Sequence, residues 1–166
     1  MSTLDLRRAS PADIPFVMAT ERKPGFEKMV GRWTEEEHQA AISSPKYAYL
    51  IGTVELGSPA AFTIIRDLDD AHGNVCLKRI AVATPGQGLG SAFLGAVITW
   101  VFTQTSAHRF WLDVLVDNGC ARHVYASHGF AEEGIMREAY QLPDATRIDL
   151  VLMSLVRPDW HTHLSE

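Results

Sequence analysis

The feature that most constrains the fold is a glycine-rich hexapeptide, Pro85-Gly86-Gln87-Gly88-Leu89-Gly90, which follows a predicted strand from Val75 to Val82. After the hexapeptide, apolar residues recur at helical spacing from Leu89 to Val101 and form one stripe. Glycines let a backbone turn sharply, and the start of a helix presents free N–H groups at a positive dipole end. The segment therefore predicts an anion site suited to phosphates or, alternatively, a tight strand–helix turn.

Two well-known phosphate-binding motifs fit this loop poorly. A P-loop requires glycine and lysine followed by serine or threonine, and that run does not occur here. A dinucleotide fingerprint requires an acidic residue about twenty residues further on, and Asp113 nearly meets that spacing. Only 53 residues follow Asp113, which is too few for the rest of a doubly wound domain. A nicotinamide-nucleotide enzyme is therefore a minor alternative.

The order of the other predicted elements indicates the fold class. A strand at 4–8 precedes two helices, which are capped at Ser10 and Thr34. Strands follow at 47–56, 60–66 and 75–82, then the striped helix, a strand at 110–116, a helix at 119–127, and strands at 130–137 and 147–156. This order predicts a single α/β (α+β) domain over residues 1–166, with a mixed sheet of about seven strands flanked by about four helices. Its core would span about 4–156, and the tail at 157–166 is expected to be loosely held.

Composition and charge argue against several classes of function. The chain is 46% hydrophobic and 21% charged, which is ordinary for a soluble globular protein. The net charge of −5 argues against a nucleic-acid partner, because phosphates are neutralised by a basic surface, and it would not repel a cationic substrate. Two cysteines make neither a disulfide framework nor a four-thiolate zinc site, and the seven histidines form no metal motif. We expect no bound metal, no membrane span and a cytoplasmic location by default.

Two motifs together resemble those of the GNAT family of N-acetyltransferases. The stretch from Leu77 to Leu94, LKRIAVATPGQGLGSAFL, resembles the acetyl-CoA motif of that family. The pattern N-x-x-A-x-x-x-Y-x-x-x-G-F from Asn118 to Phe130 resembles its second motif, in the same order and at the same spacing. The element order is similar to the GNAT acyl-CoA N-acyltransferase fold along nearly all of residues 4–156. Glu133-Gly134 and Arg137-Glu138 resemble the branch that acetylates ribosomal-protein N-termini and small amines.

The resemblance implies direct transfer of the acetyl group of acetyl-CoA to a primary amine within a ternary complex. The acceptor would be a small molecule or a protein N-terminus, and the family's habit suggests a homodimer. The alternative is a non-catalytic sensor of the same fold that binds acyl-CoA without turnover. Pro85 departs from the family pattern, which usually has arginine or glutamine there. Because pyrophosphate binding depends mainly on backbone N–H groups, we expect acetyl-CoA binding to survive this departure.

The resemblance also assigns residues to acetyl-CoA. Backbone groups near Ile80 and Val82 would contact the pantetheine arm, and a strand N–H would polarise the thioester carbonyl. Asn118 matches a polar residue at a splayed strand end, where it would bond the cofactor or a water; asparagine before a helix is also an ordinary helix cap. The pyrophosphate would meet the backbone N–H groups of Gln87, Gly88, Leu89, Gly90 and Ser91.

Acetyl transfer requires that the amine lose a proton and that the leaving thiolate gain one. Tyr125 matches the family's general acid, because a phenol is neutral at pH 7 and can protonate a thiolate. Its alternative role is to pack on the sheet. Asp113 stands where the ribosomal-protein enzymes of the family carry a base, and its alternative is a buried acid bonded to a nearby loop. Another family position for the base falls near Cys76, which has no carboxylate. A water-relayed base, or an amine that enters neutral, stays open.

The segment from Arg22 to Trp33 joins the first two predicted helices and borders the acceptor cleft in this family. Its apolar residues would line the acceptor pocket or, equally, form a small core beneath the loop; they are Phe26, Met29, Val30 and Trp33. We assign Phe26 and Trp33 to the acceptor site. Glu55 is a further candidate for the base, and we place it at the acceptor site as well.

Overall fold

The computed structural model describes residues 3–27 and 30–166. Within these residues, seven strands form one mixed sheet in the order β1-β2-β3-β4-β5-β7-β6. The strands are β1 Asp5–Arg8, β2 Ala48–Val54, β3 Ser58–Arg66, β4 Asn74–Val82, β5 Arg109–Leu115, β6 Ala131–Gln141 and β7 Arg147–Val156. The α-helices of the same residues are α1 Ile14–Glu21, α2 Glu35–Ile42, α3 Leu89–Gln104, α4 Gly119–Ser127 and α5 Arg157–Leu164. The predicted α/β fold class and element order are confirmed.

The two capping residues that the sequence indicates are found, Thr34 at the start of α2 and Ser10 at the start of the short 3-10 turn that leads into α1. Thr34 Oγ1 accepts a hydrogen bond from the Glu37 N–H at 3.2 Å, and the Glu37 carboxylate accepts one from the Thr34 N–H at 2.7 Å. The Ser10 N–H donates to the Asp13 carboxylate at 2.8 Å, in the short turn before α1. The Thr34 cap therefore fixes where the α1–α2 connection returns to helix, and the Ser10–Asp13 bond fixes the turn that leads into α1.

Two hydrophobic clusters cover the two faces of the sheet. The larger cluster packs α3 against the sheet and includes the fully buried Phe93 and Phe110. The smaller cluster lies beneath α1 and α2. Neighbouring residues of β2 belong to different clusters, Leu50 to the larger and Ile51 to the smaller, as strand alternation requires. We refer to the two faces by their helices, as the α3 face and the α1–α2 face.

The sheet opens between β4 and β5. These strands run parallel and pair only over Asn74–Cys76 and Arg109–Trp111. Their remaining described residues form no further ladder pairs with each other, so a gap widens toward the carboxyl ends of both strands. β4 also carries a bulge at Lys78, because Leu77 and Arg79 pair with consecutive residues of β3. The glycine-rich loop follows β4 at this open end.

The expectation of a loosely held tail is wrong for residues 157–164, which form α5. Trp160 is 7% exposed and its ring stacks on Phe102 with centroids 5.1 Å apart. The Arg157 guanidinium donates to the carbonyls of Phe102 at 2.7 Å and Ala107 at 2.6 Å. One buried aromatic ring and one arginine hold this helix, and neither produces the periodic apolar pattern that marks a helix in sequence. No α-helix of the described residues is long and apolar enough to cross a membrane.

Candidate active site

The glycine-rich loop forms an open cradle at the amino end of α3. Gly86 and Gly88 have φ angles of +89° and +72°, in the left-handed region that favours glycine. A Cβ added to either residue would meet no heavy atom within 4 Å. Gly88 caps α3, whose first amides lack intrahelical partners and lie at the positive end of the helix dipole. The residues that the sequence assigns to pyrophosphate all lie in this loop or first turn; they are Gln87, Gly88, Leu89, Gly90 and Ser91.

The gap-facing backbone of β4 carries two of the predicted cofactor residues. Ala83, just after β4, donates its N–H to the carbonyl of Ala60 in β3 at 2.7 Å. Because successive strand residues direct their polar groups to opposite sides, the N–H and C=O of Ile80 and Val82 point away from β3 and into the gap. These two residues therefore present hydrogen-bonding groups where the β5 partner is missing.

Asn118 lies between β5 and α4 and caps the helix. Its Oδ1 accepts a hydrogen bond from the Ala121 N–H at 3.2 Å, and its own N–H donates to Leu115 at 2.9 Å. The cap expected of an asparagine before a helix is confirmed. This cap fixes the start of α4, the helix that carries Tyr125.

Tyr125 lies on the α3 face beside the larger cluster. Its ring packs edge-on against Phe130 with centroids 5.8 Å apart. Burial raises the pKa of Tyr125 to about 12, and the negative charge of Asp113 acts in the same direction. The phenol therefore holds its proton throughout the neutral range.

Asp113 lies on the opposite face of the sheet. It alternates with Leu112 and Val114, which belong to the larger cluster, so its side chain faces the α1–α2 side. The carboxylate reaches solvent, yet desolvation by the surrounding protein raises its pKa, against the opposing charges of Lys78 and Arg66. It makes no hydrogen bond or ion pair with the described residues, so the alternative of a buried acid bonded to a loop is not found.

The predicted acceptor residues separate into two places. Trp33 lies in the connection between α1 and α2, and its ring lies 4.9 Å from the Arg79 guanidinium and 5.9 Å from the Lys78 ammonium. Phe26 is half-buried beside the same small cluster, and Met29 lies outside the described residues. Glu55 is exposed in the turn between β2 and β3, where no described contact links it to the other site residues.

A cavity of about 450 Å³ opens between this connection and the turn that joins β6 to β7. One wall is formed by Glu27 and 30–32, and the other by 140–143. Gly31 borders Arg79 so closely that an added Cβ would lie 2.6 Å from the guanidinium. Through Gly31, the cavity lies close to the Arg79 side chain, which is on the α1–α2 face, as is Asp113.

Sequence reasoning missed a buried polar network beneath Trp33. The Glu21 carboxylate is fully buried and bonds to His38 Nε2 at 2.7 Å and to the Arg79 guanidinium at 3.0 Å. His38 Nδ1 lies 2.8 Å from the hydroxyl of Tyr49. Burial opposes ionisation of Glu21, but His38 and Arg79 together hold its pKa below the ordinary value. The network joins α1, α2, β2 and β4, and its members are too far apart in sequence to form a local pattern.

A second pair that the sequence did not indicate lies beside the glycine-rich loop. The hydroxyl of Ser91 is 2.9 Å from Nε2 of His128, at the end of α4. Burial lowers the pKa of His128, and the charge of His163 on α5 lowers it further. The only local signal was the position of His128 before Gly129, which indicates the end of a helix and no partner.

A comparison with protein-family models identifies the family of this chain. The chain is a member of the acetyltransferase (GNAT) family, whose family model matches residues 16–130. The resemblance inferred from the two motifs is therefore confirmed, and so is acetyl-CoA as the acetyl donor that the family uses.

Two solved structures extend this comparison well beyond residues 16–130. The spermidine N-acetyltransferase from Vibrio cholerae, solved with CoA and spermine, has a TM-score of 0.85 at 18% identity, over 95% of this chain and 98% of that one. The ribosomal-protein-S18-alanine N-acetyltransferase from Escherichia coli has a TM-score of 0.75 at 26% identity, over 93% and 94%. The similarity to the spermidine N-acetyltransferase, at 18% identity, shows that the two proteins share a fold.

Proposed function

We propose that the protein transfers the acetyl group of acetyl-CoA directly to a primary amine, in a ternary complex. The observation that carries the proposal is the position of Tyr125 and Asp113 on opposite faces of the gap between β4 and β5. A proton donor on one face and a proton acceptor on the other fit a thioester and an amine that meet from the two sides. The acceptor is a small-molecule amine or a protein N-terminus.

The residues at the open end of the sheet fit acetyl-CoA. The open cradle at Gly86 and Gly88 and the first amides of α3 would hold its pyrophosphate. The gap-facing backbone groups of Ile80 and Val82 would pair with its pantetheine arm, as an added strand would. When bound, acetyl-CoA supplies an acetyl group activated as a thioester. Pro85 precedes the cradle and removes none of these amides.

Asp113 would act as the general base of the reaction and Tyr125 as its general acid. Asp113 accepts one proton from the acceptor ammonium and releases it to solvent, and its raised pKa makes it a stronger base than an ordinary aspartate. Tyr125 donates its proton to the departing sulfur as the carbon–sulfur bond breaks and the nitrogen–carbon bond forms. The nitrogen then loses its second proton to the Tyr125 phenolate, which returns Tyr125 to its protonated form.

Calorimetric titration with acetyl-CoA, with NAD as the parallel ligand, tests the cofactor assignment first. We expect micromolar binding of acetyl-CoA and no heat with NAD. Release of free thiol in the presence of an amine panel then separates an enzyme from a protein that only binds acyl-CoA. A protein that binds acetyl-CoA and releases no thiol with any amine contradicts the transferase proposal.

Paired variants on α4 test the general acid. Tyr125→Phe is expected to lower kcat by about 10²–10⁴-fold while acetyl-CoA affinity is retained. His123→Gln changes an exposed residue of the same helix and is expected to leave both unchanged. Equal turnover by the two variants would remove Tyr125 from the mechanism.

A further inference from the structure

Lys78 and Asp113 face the same side of the sheet across the gap between β4 and β5. Cys76 and Trp111 form the last parallel pair, and each charged residue lies two positions beyond it. Asp113 faces the α1–α2 side, as described above. The Lys78 ammonium lies 5.9 Å from the ring of Trp33, which belongs to the α1–α2 connection, so Lys78 faces the same side.

The two opposite charges act on each other without touching. Burial raises the pKa of Asp113 and lowers the pKa of Lys78, and the opposite charge of each residue partly offsets this effect on the other. Neither side chain forms an ion pair or a hydrogen bond with the part of the chain that the structure describes. An exposed cation and an exposed anion therefore flank the opening of the gap, too far apart for a direct bond.

The two cations that act on the charge of Lys78 each lie close to an acidic residue, although Arg66 Nε forms no hydrogen bond with the described residues. The Arg79 guanidinium bonds to Glu21 at 3.0 Å, and Arg66 lies 3.7 Å from Asp67 and over the ring of Trp111. Both arginines still oppose the positive charge of Lys78. A polycationic acceptor would meet this positive charge beside Asp113, whereas an acceptor with one negative group would relieve it.

We propose that the acceptor is an amine with a carboxylate close to its amino group, as in a free amino acid. The amino group would meet Asp113, and the carboxylate would meet Lys78. This inference rests on the proposed transferase function and names its substrate class. A polyamine has no group for Lys78, and a protein N-terminus has a neutral amide carbonyl in that place. The cavity lined by Gly31, which borders Arg79, leaves room for the substituent of the acceptor.

Matched acceptors test the proposal directly. Thiol release is measured with acetyl-CoA and each common amino acid, with the carboxamide of the same amino acid, and with spermidine. The best amino acid is expected to exceed its own carboxamide in kcat/KM by about tenfold or more, because a charge-assisted hydrogen bond is lost in the amide. Spermidine is expected to be the poorer acceptor.

Variants of Lys78 assign the preference to this residue. In Lys78→Gln, the ratio of kcat/KM for the acid over the amide is expected to fall to about one, and Lys78→Arg is expected to keep a preference for the acid. Lys46→Gln is the matched control, because Lys46 is an exposed lysine away from the gap. Calorimetric titration of the preferred acid into the CoA-saturated protein gives a readout that does not depend on turnover, and Lys78→Gln is expected to abolish its heat.

Two results would overturn the inference while leaving the transferase function intact. One is turnover of the carboxamides or of spermidine as efficient as that of the acids. The other is an equal loss for acid and amide in Lys78→Gln, which would make Lys78 a structural residue. Failure of the wild-type protein to bind acetyl-CoA would instead overturn the proposed function, and the inference with it.

Discussion

His38 Nε2 lies 2.7 Å from the carboxylate of Glu21, and neither side chain is exposed to solvent. The same carboxylate reaches Arg79 on β4, and the Trp33 N–H approaches it at 3.4 Å. One buried acid therefore ties the α1–α2 connection to the strand that borders the gap. This network therefore holds Trp33, whose ring lies 5.9 Å from the Lys78 ammonium, against β4.

Removing Glu21 is expected to destabilise the protein strongly. Glu21→Ala leaves His38 and Arg79 buried without their partner, which costs about 3–5 kcal/mol of the free energy of unfolding. Urea denaturation at pH 7 measures the change. Glu132→Gln is the control, because the Arg122–Glu132 pair is partly exposed to solvent and is worth about 0–1 kcal/mol. Equal losses of unfolding free energy in the two variants would show that the buried network stabilises the fold no more than the Arg122–Glu132 pair does.

The rate of acetyl transfer is expected to fall at acidic pH and to have no alkaline limb from Tyr125. Desolvation raises the pKa of Asp113 above 3.8, so the base becomes protonated at a higher pH than an ordinary aspartate as the pH falls. Tyr125, with a pKa of about 12, keeps its proton well into the alkaline range. The profile of kcat against pH at saturating amine measures the acidic fall and shows whether an alkaline one is present. An Asp113→Asn variant with the wild-type rate and profile would exclude Asp113 as the base.

Two glycine-to-alanine changes at the start and in the middle of α3 are expected to have opposite effects on stability. Gly88→Ala places a side chain at a φ of +72°, which costs about 1–2 kcal/mol, and adds a methyl group to the open cradle, so acetyl-CoA affinity also falls. Gly95→Ala has an ordinary φ, and its Cβ would lie 3.4 Å from the His128 ring, so it gains about 0.5–1 kcal/mol of helix propensity. Thermal denaturation and calorimetric titration measure the two effects. A lower Tm for Gly95→Ala than for Gly88→Ala would contradict this account.

Trp160 is expected to anchor α5. Trp160→Ala removes a buried ring that stacks on Phe102 and should lower the free energy of unfolding by about 3–5 kcal/mol. Leu164→Ala removes an exposed apolar side chain from the same helix and should change it by about 0.5 kcal/mol or less. If the two variants unfold at the same urea concentration, α5 contributes nothing to global stability.

Features that depend on neighbouring residues could be predicted from the sequence. The Thr34 cap needs only Glu37, the glycine-rich loop needs only its own residues, and both have the expected form. The bond between Glu21 and Arg79 joins residues 58 positions apart, and it arises only because the sheet brings α1 onto β4. The second motif indicated Tyr125, and the family's usual place for a base indicated Asp113 on the preceding strand, whereas their separation onto opposite faces required the strand pairing.

The order of strands in the sheet also determines when the site is completed during synthesis. β7 lies between β5 and β6, so β5 has a partner only over Arg109–Trp111 until residues 147–156 have been made. A nascent chain that stops before β7 can already contain the glycine-rich loop, Tyr125 and Asp113. It still lacks the strand that aligns β5 from Arg109 to Leu115. One wall of the gap is therefore built last, and incomplete chains are expected to carry every proposed catalytic residue without an assembled site.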